Sequence, residues 1–119
     1  MAIQPKFYET LYLVRPDLAE DELVKIQEKL QSIIKNGSGE ILRSVKWAEK
    51  ELAYAINDYT KGVYHILIFK VLPSILLELE KALAFHRNDI LRFITVVITE
   101  DSANKNAKSD DAEENPKEQ

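Results

Sequence analysis

The chain opens with a segment, residues 6–15, whose apolar side chains fall on both sides of an alternating pattern. Phe7, Leu11 and Leu13 take one side and Tyr8, Tyr12 and Val14 the other, before Pro16. Aromatic and β-branched residues in that pattern predict a strand buried on both faces, hence a central one. The period then changes. Ala19, Leu23, Ile26, Leu30 and Ile33 recur every three or four residues, which predicts a helix with one buried stripe. Asp17 and Glu20 have the spacing of a capping box at its start. Asn36-Gly37 reads as its stop, with the glycine in a left-handed cap.

Alternation returns over residues 40–48, with Ile41, Val45 and Trp47 on one side and Ser44 and Lys46 on the other. It resumes over 52–56 after an irregular spot. Residues 57–62, with their Asn, Asp and Gly, predict a hairpin loop. A third strand follows over 63–71, apolar enough through its His65-Ile66-Leu67-Ile68-Phe69 run to be central. Pro73 suits the first turn of a helix, where its missing N–H costs nothing. Leu76, Leu79, Leu83 and His86 supply the stripe of that helix, and Asn88 and Asp89 end it before a fourth strand over 91–99.

The predicted order is strand, helix, strand, strand, helix, strand. Two split βαβ units of this kind fold as an α+β, ferredoxin-like β-α-β-β-α-β sandwich. A four-stranded antiparallel sheet then carries both helices on one face. If Leu67 and Phe69 point to the helices, Tyr64, Ile66, Ile68 and Lys70 lie on the open face. An exposed row of that kind calls for a partner.

Charge divides the 119-residue chain in two. From residue 100 onward seven acidic residues stand against three lysines, which accounts for the whole formal charge of −4. Residues 1–99 hold 13 basic and 13 acidic groups. The expected organisation is therefore one domain over residues 1–99 and an acidic, disordered tail over 100–119, too polar to offset its ordering entropy. A neutral domain has no general attraction for phosphate, so any nucleic-acid binding must come from a local patch or a shared interface.

The chain has no cysteine, which removes disulfides, thiolate metal sites and a cysteine nucleophile. No signal peptide or membrane span is expected, since no apolar run is long enough. The two histidines, His65 and His86, have no cysteine, second histidine or paired carboxylate at ligand spacing, and both read as structural. Gly37-Ser38-Gly39 lacks a third glycine, with Leu42 in its place, and follows a helix rather than a strand, so it reads as a turn. The expectation is a protein without catalytic residues, cofactor, metal or small-molecule substrate.

Two features remain. Lys61-Gly62-Val63-Tyr64-His65-Ile66-Leu67-Ile68-Phe69 partly matches the motif by which RNA-recognition domains stack bases on a third strand, but with too few aromatics. Arg43, Lys46, Lys50, Arg87 and Arg92 are candidate phosphate contacts, diluted by Glu40, Glu49 and Glu51. Three further patterns combine with these. Arg15-Pro16-Asp17-Leu18 precedes the first helix, Trp47 is followed by Glu51-Leu52-Ala53-Tyr54-Ala55-Ile56, and Asp89-Ile90-Leu91-Arg92-Phe93 opens the last strand. Together, from about residue 7 to 99, they resemble the bacterial small-subunit ribosomal protein S-six family.

The resemblance implies a ferredoxin-like ribosomal protein in the cytoplasm, with no enzymatic activity. Its implied partners are the central domain of small-subunit ribosomal RNA and small-subunit ribosomal protein eighteen, the latter as a heterodimer. It makes Lys46, Trp47, Lys50, Tyr54, Arg87 and Arg92 candidate RNA contacts, and the row Tyr64, Ile66, Ile68 and Lys70 a candidate partner surface. Ala48 and Glu49 stand where the family usually has Gly and Arg, and Ala55 replaces its Pro, so a bulge and a phosphate contact there are in doubt. Three other functions fit the architecture. A free-standing RNA-recognition domain would need a stacking platform on Tyr64 and Tyr12. An acylphosphatase-like hydrolase would need a glycine-bearing anion loop where Arg15-Pro16-Asp17-Leu18 stands. A regulatory module would bind a small ligand at a dimeric sheet.

Overall fold

Strand β1 (Lys6–Val14) leads into helix α1 (Glu20–Asn36), strands β2 (Glu40–Ile56) and β3 (Tyr59–Val71), helix α2 (Pro73–Phe85), strand β4 (Ile90–Ile98) and helix α3 (Glu100–Lys108). The computed structural model describes residues 3–108. The strands form one antiparallel sheet in the order β2-β3-β1-β4, the ferredoxin-like arrangement the pattern predicts. β1 and β3 are the central strands, as their two-sided apolar runs require. Among the described residues no helix is long and apolar enough to cross a membrane.

The two faces separate by residue parity. On the helix side Tyr8, Tyr12 and Val14 of β1 join Leu67, Phe69 and Val71 of β3, Ile26, Leu30 and Ile34 of α1, and Leu79, Ala82 and Leu83 of α2 in one buried cluster. Thr10 is fully buried in the same face and shares a 2.7 Å hydrogen bond with the hydroxyl of Thr95 on β4. Each fully buried Leu or Ile here contributes roughly 1.5–3 kcal/mol. On the opposite face Ile66 and Ile68 are buried with Ala103 of α3, and Phe7, Leu11, Leu42, Val45 and Ile98 pack around them.

That second cluster corrects the expected domain boundary. Residues 100–108 are a helix that lies back on β1, β2 and β3, and Ala103 is completely buried. The Thr99 hydroxyl accepts the Ser102 amide at 3.1 Å, as an N-terminal cap does. At the other end the Arg43 guanidinium donates to the Asn106 carbonyl at 3.1 Å, a cation at a helix C-terminus. A polar segment whose apolar residues are two alanines, Ala103 and Ala107, gives too weak a helical stripe to read, yet Ala103 is small enough to sit flat on the sheet. The rest of the expected tail, residues 109–119, lies outside the described residues.

Three local expectations also change. Ala19 is the N-cap of α1 and offers no side-chain cap. Asp17 is engaged elsewhere, accepting from Arg15 Nη1 at 2.8 Å. Arg15 also donates through Nε to Asp89 at 2.8 Å, and its backbone N–H donates to the Asp89 carbonyl. The end of β1 is thereby clipped to the start of β4, and the Arg15 guanidinium, with Tyr59, holds the exposed Asp17 carboxyl below its usual range. At the other end of α1 it is Ser38, at φ 62°, that turns left-handed. Gly37 has φ −89° and is needed for space, because a Cβ there would stand 2.6 Å from Ile75. Finally, the hairpin loop is only Asn57-Asp58, both at positive φ, the two-residue turn whose twist matches paired strands. β2 therefore runs unbroken to Ile56, absorbing its irregularities as register shifts at 41/43, 46/48 and 51/56.

Gly62 is where the hairpin crosses closest to β1. A Cβ there would lie 2.4 Å from Leu13 Cδ1 and 3.3 Å from the Val14 carbonyl oxygen, and Leu13 is fully buried. Gly62→Ala is expected to lower the unfolding free energy by about 1–3 kcal/mol in urea titrations. Because the two side chains collide, combining it with Leu13→Ala should cost less than the sum of the single changes. Additive losses would show that the Gly62–Leu13 approach is not the constraint.

Candidate nucleic-acid interface

One cross-strand row on the open face gathers most of the candidate residues. Arg92 of β4 pairs with Leu13 of β1, Leu13 with Tyr64 of β3, and Tyr64 with Ala48 of β2. Paired residues share a face, so Arg92 and Tyr64 flank the buried Leu13. The Arg92 guanidinium spans that gap, donating through Nη2 to the Tyr64 hydroxyl at 3.2 Å and through Nη1 to the Tyr54 hydroxyl at 3.3 Å. These bonds, to Tyr64 first and then Tyr54, raise the guanidinium still further above its basic value.

The register shift between Lys46 and Ala48 leaves Trp47 without a partner of its own. Its ring packs against Tyr64, with centroids 5.7 Å apart and planes inclined by 60°. Lys50 Nζ lies 5.2 Å from the centre of the Trp47 ring, within cation–π range. The result is a continuous surface of Lys50, Trp47, Tyr64, Arg92 and Tyr54. Trp47 is 45% and Tyr54 65% exposed, although rings of this size usually seek burial. The bulge forms with Ala48 beside it, and the strand continues through Ala55.

Two RNA candidates fall outside this surface. Lys46 pairs with His65, which puts it on the helix side, and its ammonium meets Glu49 at 3.3 Å in an exposed ion pair. Arg87 lies at the turn between α2 and β4, in a groove shared with Asn57, Tyr59, Asn88 and Leu91. Arg43, a phosphate candidate by its charge, is buried beside α3.

The expected partner row divides. Tyr64 belongs to the aromatic surface. Ile66 is 7% and Ile68 0% exposed, because α3 covers them, so they are not the open apolar row the alternation implied. Lys70 is half-buried with its ammonium 5.2 Å from the Phe7 ring centre. The Tyr64–Arg92–Tyr54 contact had no signal in the sequence, since its members stand 28 and 38 positions apart. Tyr12, a platform residue in the RNA-recognition alternative, faces the helices and is buried.

Chemically, this surface offers π faces for stacking and cations for phosphate, a combination that suits unpaired nucleotides. Among the described residues no group of His, Asp or Glu is arranged to hold a metal ion. His65 is buried, stacked on Tyr12 with centroids 5.3 Å apart and planes 15° from parallel.

The family description Ribosomal protein S6 matches residues 7–97 of the chain. The small ribosomal subunit protein bS6 of Syntrophomonas wolfei is 38% identical over 90 residues, covering 75% of this chain and 92% of its own length. Its counterpart from Trichlorobacter lovleyi is 35% identical over 101 residues, covering 85% and 82%. Among solved structures, 30S ribosomal protein S6 from Thermotoga maritima is similar with a TM-score of 0.70 at 26% identity, over 89% of this chain and 98% of that one. The C-terminal domain of the MgtC protein from Mycobacterium tuberculosis shares the fold alone, with a TM-score of 0.52 at 8% identity.

Burial, reinforced by the charge of Lys46, lowers the His65 pKa to about 4. The unfolded chain binds this proton near pH 6.5, so the stability that neutral His65 allows is intact above that value and lost as pH falls towards 4. Unfolding free energy should drop by about 3 kcal/mol across that window. The drop should largely vanish in His65→Gln. An unchanged slope in that variant would assign the loss to other groups.

Proposed function

Since the chain belongs to the ribosomal protein S6 family, we propose that it binds the central domain of small-subunit ribosomal RNA jointly with small-subunit ribosomal protein eighteen. Membership makes it a structural protein of the small ribosomal subunit, working on the cytoplasmic ribosome rather than as an enzyme. The RNA contact assigned by this reading is the Lys50, Trp47, Tyr64, Arg92 and Tyr54 surface, with Arg87 as an outlying phosphate contact.

The observation that carries the proposal is this surface set in a domain with no net charge. Exposed Trp47 and Tyr54 offer stacking energy of about 1–3 kcal/mol per base. Only Lys50 and Arg92 stand among them, and Glu49 and Glu51 lie close to Lys50 around a shared hollow. Local chemistry therefore favours RNA while long-range attraction is missing, which is the situation a basic partner relieves. The role is one of assembly: the chain supplies shape and stacking, and the partner supplies charge.

A titration of a central-domain RNA fragment tests this, using the chain alone and mixed with protein eighteen at two salt concentrations. Tight binding is expected for the mixture only, weakening steeply with salt. Tyr54→Ala or Arg92→Ala should weaken binding by the mixture roughly tenfold without loss of fold. Equal, salt-independent RNA binding by the chain alone would overturn the reading in favour of a free-standing RNA-recognition module.

A further inference from the structure

The sheet has two outer edges, and they are built differently. β2 shifts register three times and carries Glu40, Lys46, Glu49, Lys50 and Glu51. Bulges and charges of that sort keep an edge from pairing with another chain. β4 has less of both: one register shift at its very start, between Val14↔Ile90 and Leu13↔Arg92, and the single charge of Arg92. Its pairing with β1 runs without a shift from Phe7↔Ile98 to Leu13↔Arg92. The sequence ILRFITVVI contains one charge and no proline or glycine. Ile94, Val96 and Val97 are 60%, 47% and 62% exposed. β4 ends the strand order, so among the described residues alternate main-chain groups on its outer side have no strand beside them.

α3 narrows the choice of surface. It covers the open face over β1, β2 and β3, burying Ile66 and Ile68. The aliphatic surface that this face still presents is on β4, where Ile94 lies beside Leu11 and Val96 beside Glu9.

We propose that the edge of β4 receives an extended aliphatic segment of a partner protein, which adds a fifth strand to the sheet. The free main-chain groups select an extended segment. Ile94 and Val96 call for aliphatic neighbours on one face, and Val97 for one on the other. Glu9, with Glu100 and Asp101 just beyond the strand, makes one end of the edge acidic, while Arg92 marks the other. The incoming segment is therefore basic where it passes Val96 and Ile98. The partner is the protein that joins this chain on RNA, so the inference rests on the function proposed above.

The test uses the full chain, with protein eighteen as the probe. Amide exchange along β4 should slow at least tenfold in the pair. Ile94→Lys and Val96→Lys should each weaken the pair at least tenfold, whereas Leu77→Lys on α2, at a residue 61% exposed, should not. Exchange on the unaltered chain decides the matter even if a lysine variant fails to fold. A pair that forms with β4 amides unprotected and the lysine variants without effect overturns the edge site and leaves joint binding standing. No pair at all overturns both. Sedimentation showing the chain self-associated through β4, with protein eighteen unable to compete, overturns the proposal in favour of a second copy.

Discussion

β3 is buried on both faces along its middle. Ile66, Leu67, Ile68 and Phe69 are all 7% exposed or less, and since neighbouring side chains in a strand point to opposite sides, no single layer of helices can cover them. α1 and α2 cover Leu67 and Phe69. Something else must cover Ile66 and Ile68, or roughly 1.5–3 kcal/mol of burial is lost at each. α3 does so. Nine residues of mostly polar composition would scarcely hold a helix in isolation. The sheet supplies the missing stability through Ala103, and the Thr99 and Arg43 contacts fix the two ends.

The same demand recurs one row further along the sheet, where Leu13 of β1 is fully buried on the open face. Its flanks are polar-tipped aromatics and a guanidinium rather than a helix. Arg92 keeps its guanidinium bonded to the hydroxyls of Tyr64 and Tyr54, and Trp47 stays partly in solvent. Covering the core and presenting a stacking surface are thus one arrangement, made possible because Gly62 lets the hairpin approach Leu13.

Periodicity carries much of this fold. The two-sided pattern of β1 and β3 marks them as central, and the parity that separates Leu67 and Phe69 from Ile66 and Ile68 is visible in the alternation alone. What escapes is set by contacts distant in sequence. Nothing in Glu100-Asp101-Ser102-Ala103 says that one alanine will meet two isoleucines of β3. Asp17 has the spacing of a cap, but Arg15, itself anchored through Nε to Asp89, takes it with Nη1, because a charge-assisted bond to a guanidinium is stronger than one to a neutral amide. The site shows the same division. Trp47, Lys50, Tyr54 and Arg92 are marked by residue type and by resemblance to the family, whereas the one-residue bulge at Trp47 puts Lys46 on the face opposite Lys50, which alternation would place beside it. Glu49 pairs with Lys46 at 3.3 Å, so the two charges offset one another.

Trp47 is the one tryptophan of the chain, and it stands at the boundary between the bulged edge and solvent, with an ammonium over its ring and a phenol beside it. Its emission colour and yield therefore report the electrostatics of a single place. The protein carries a built-in gauge of whether this one corner of its surface is wet, stacked or charged.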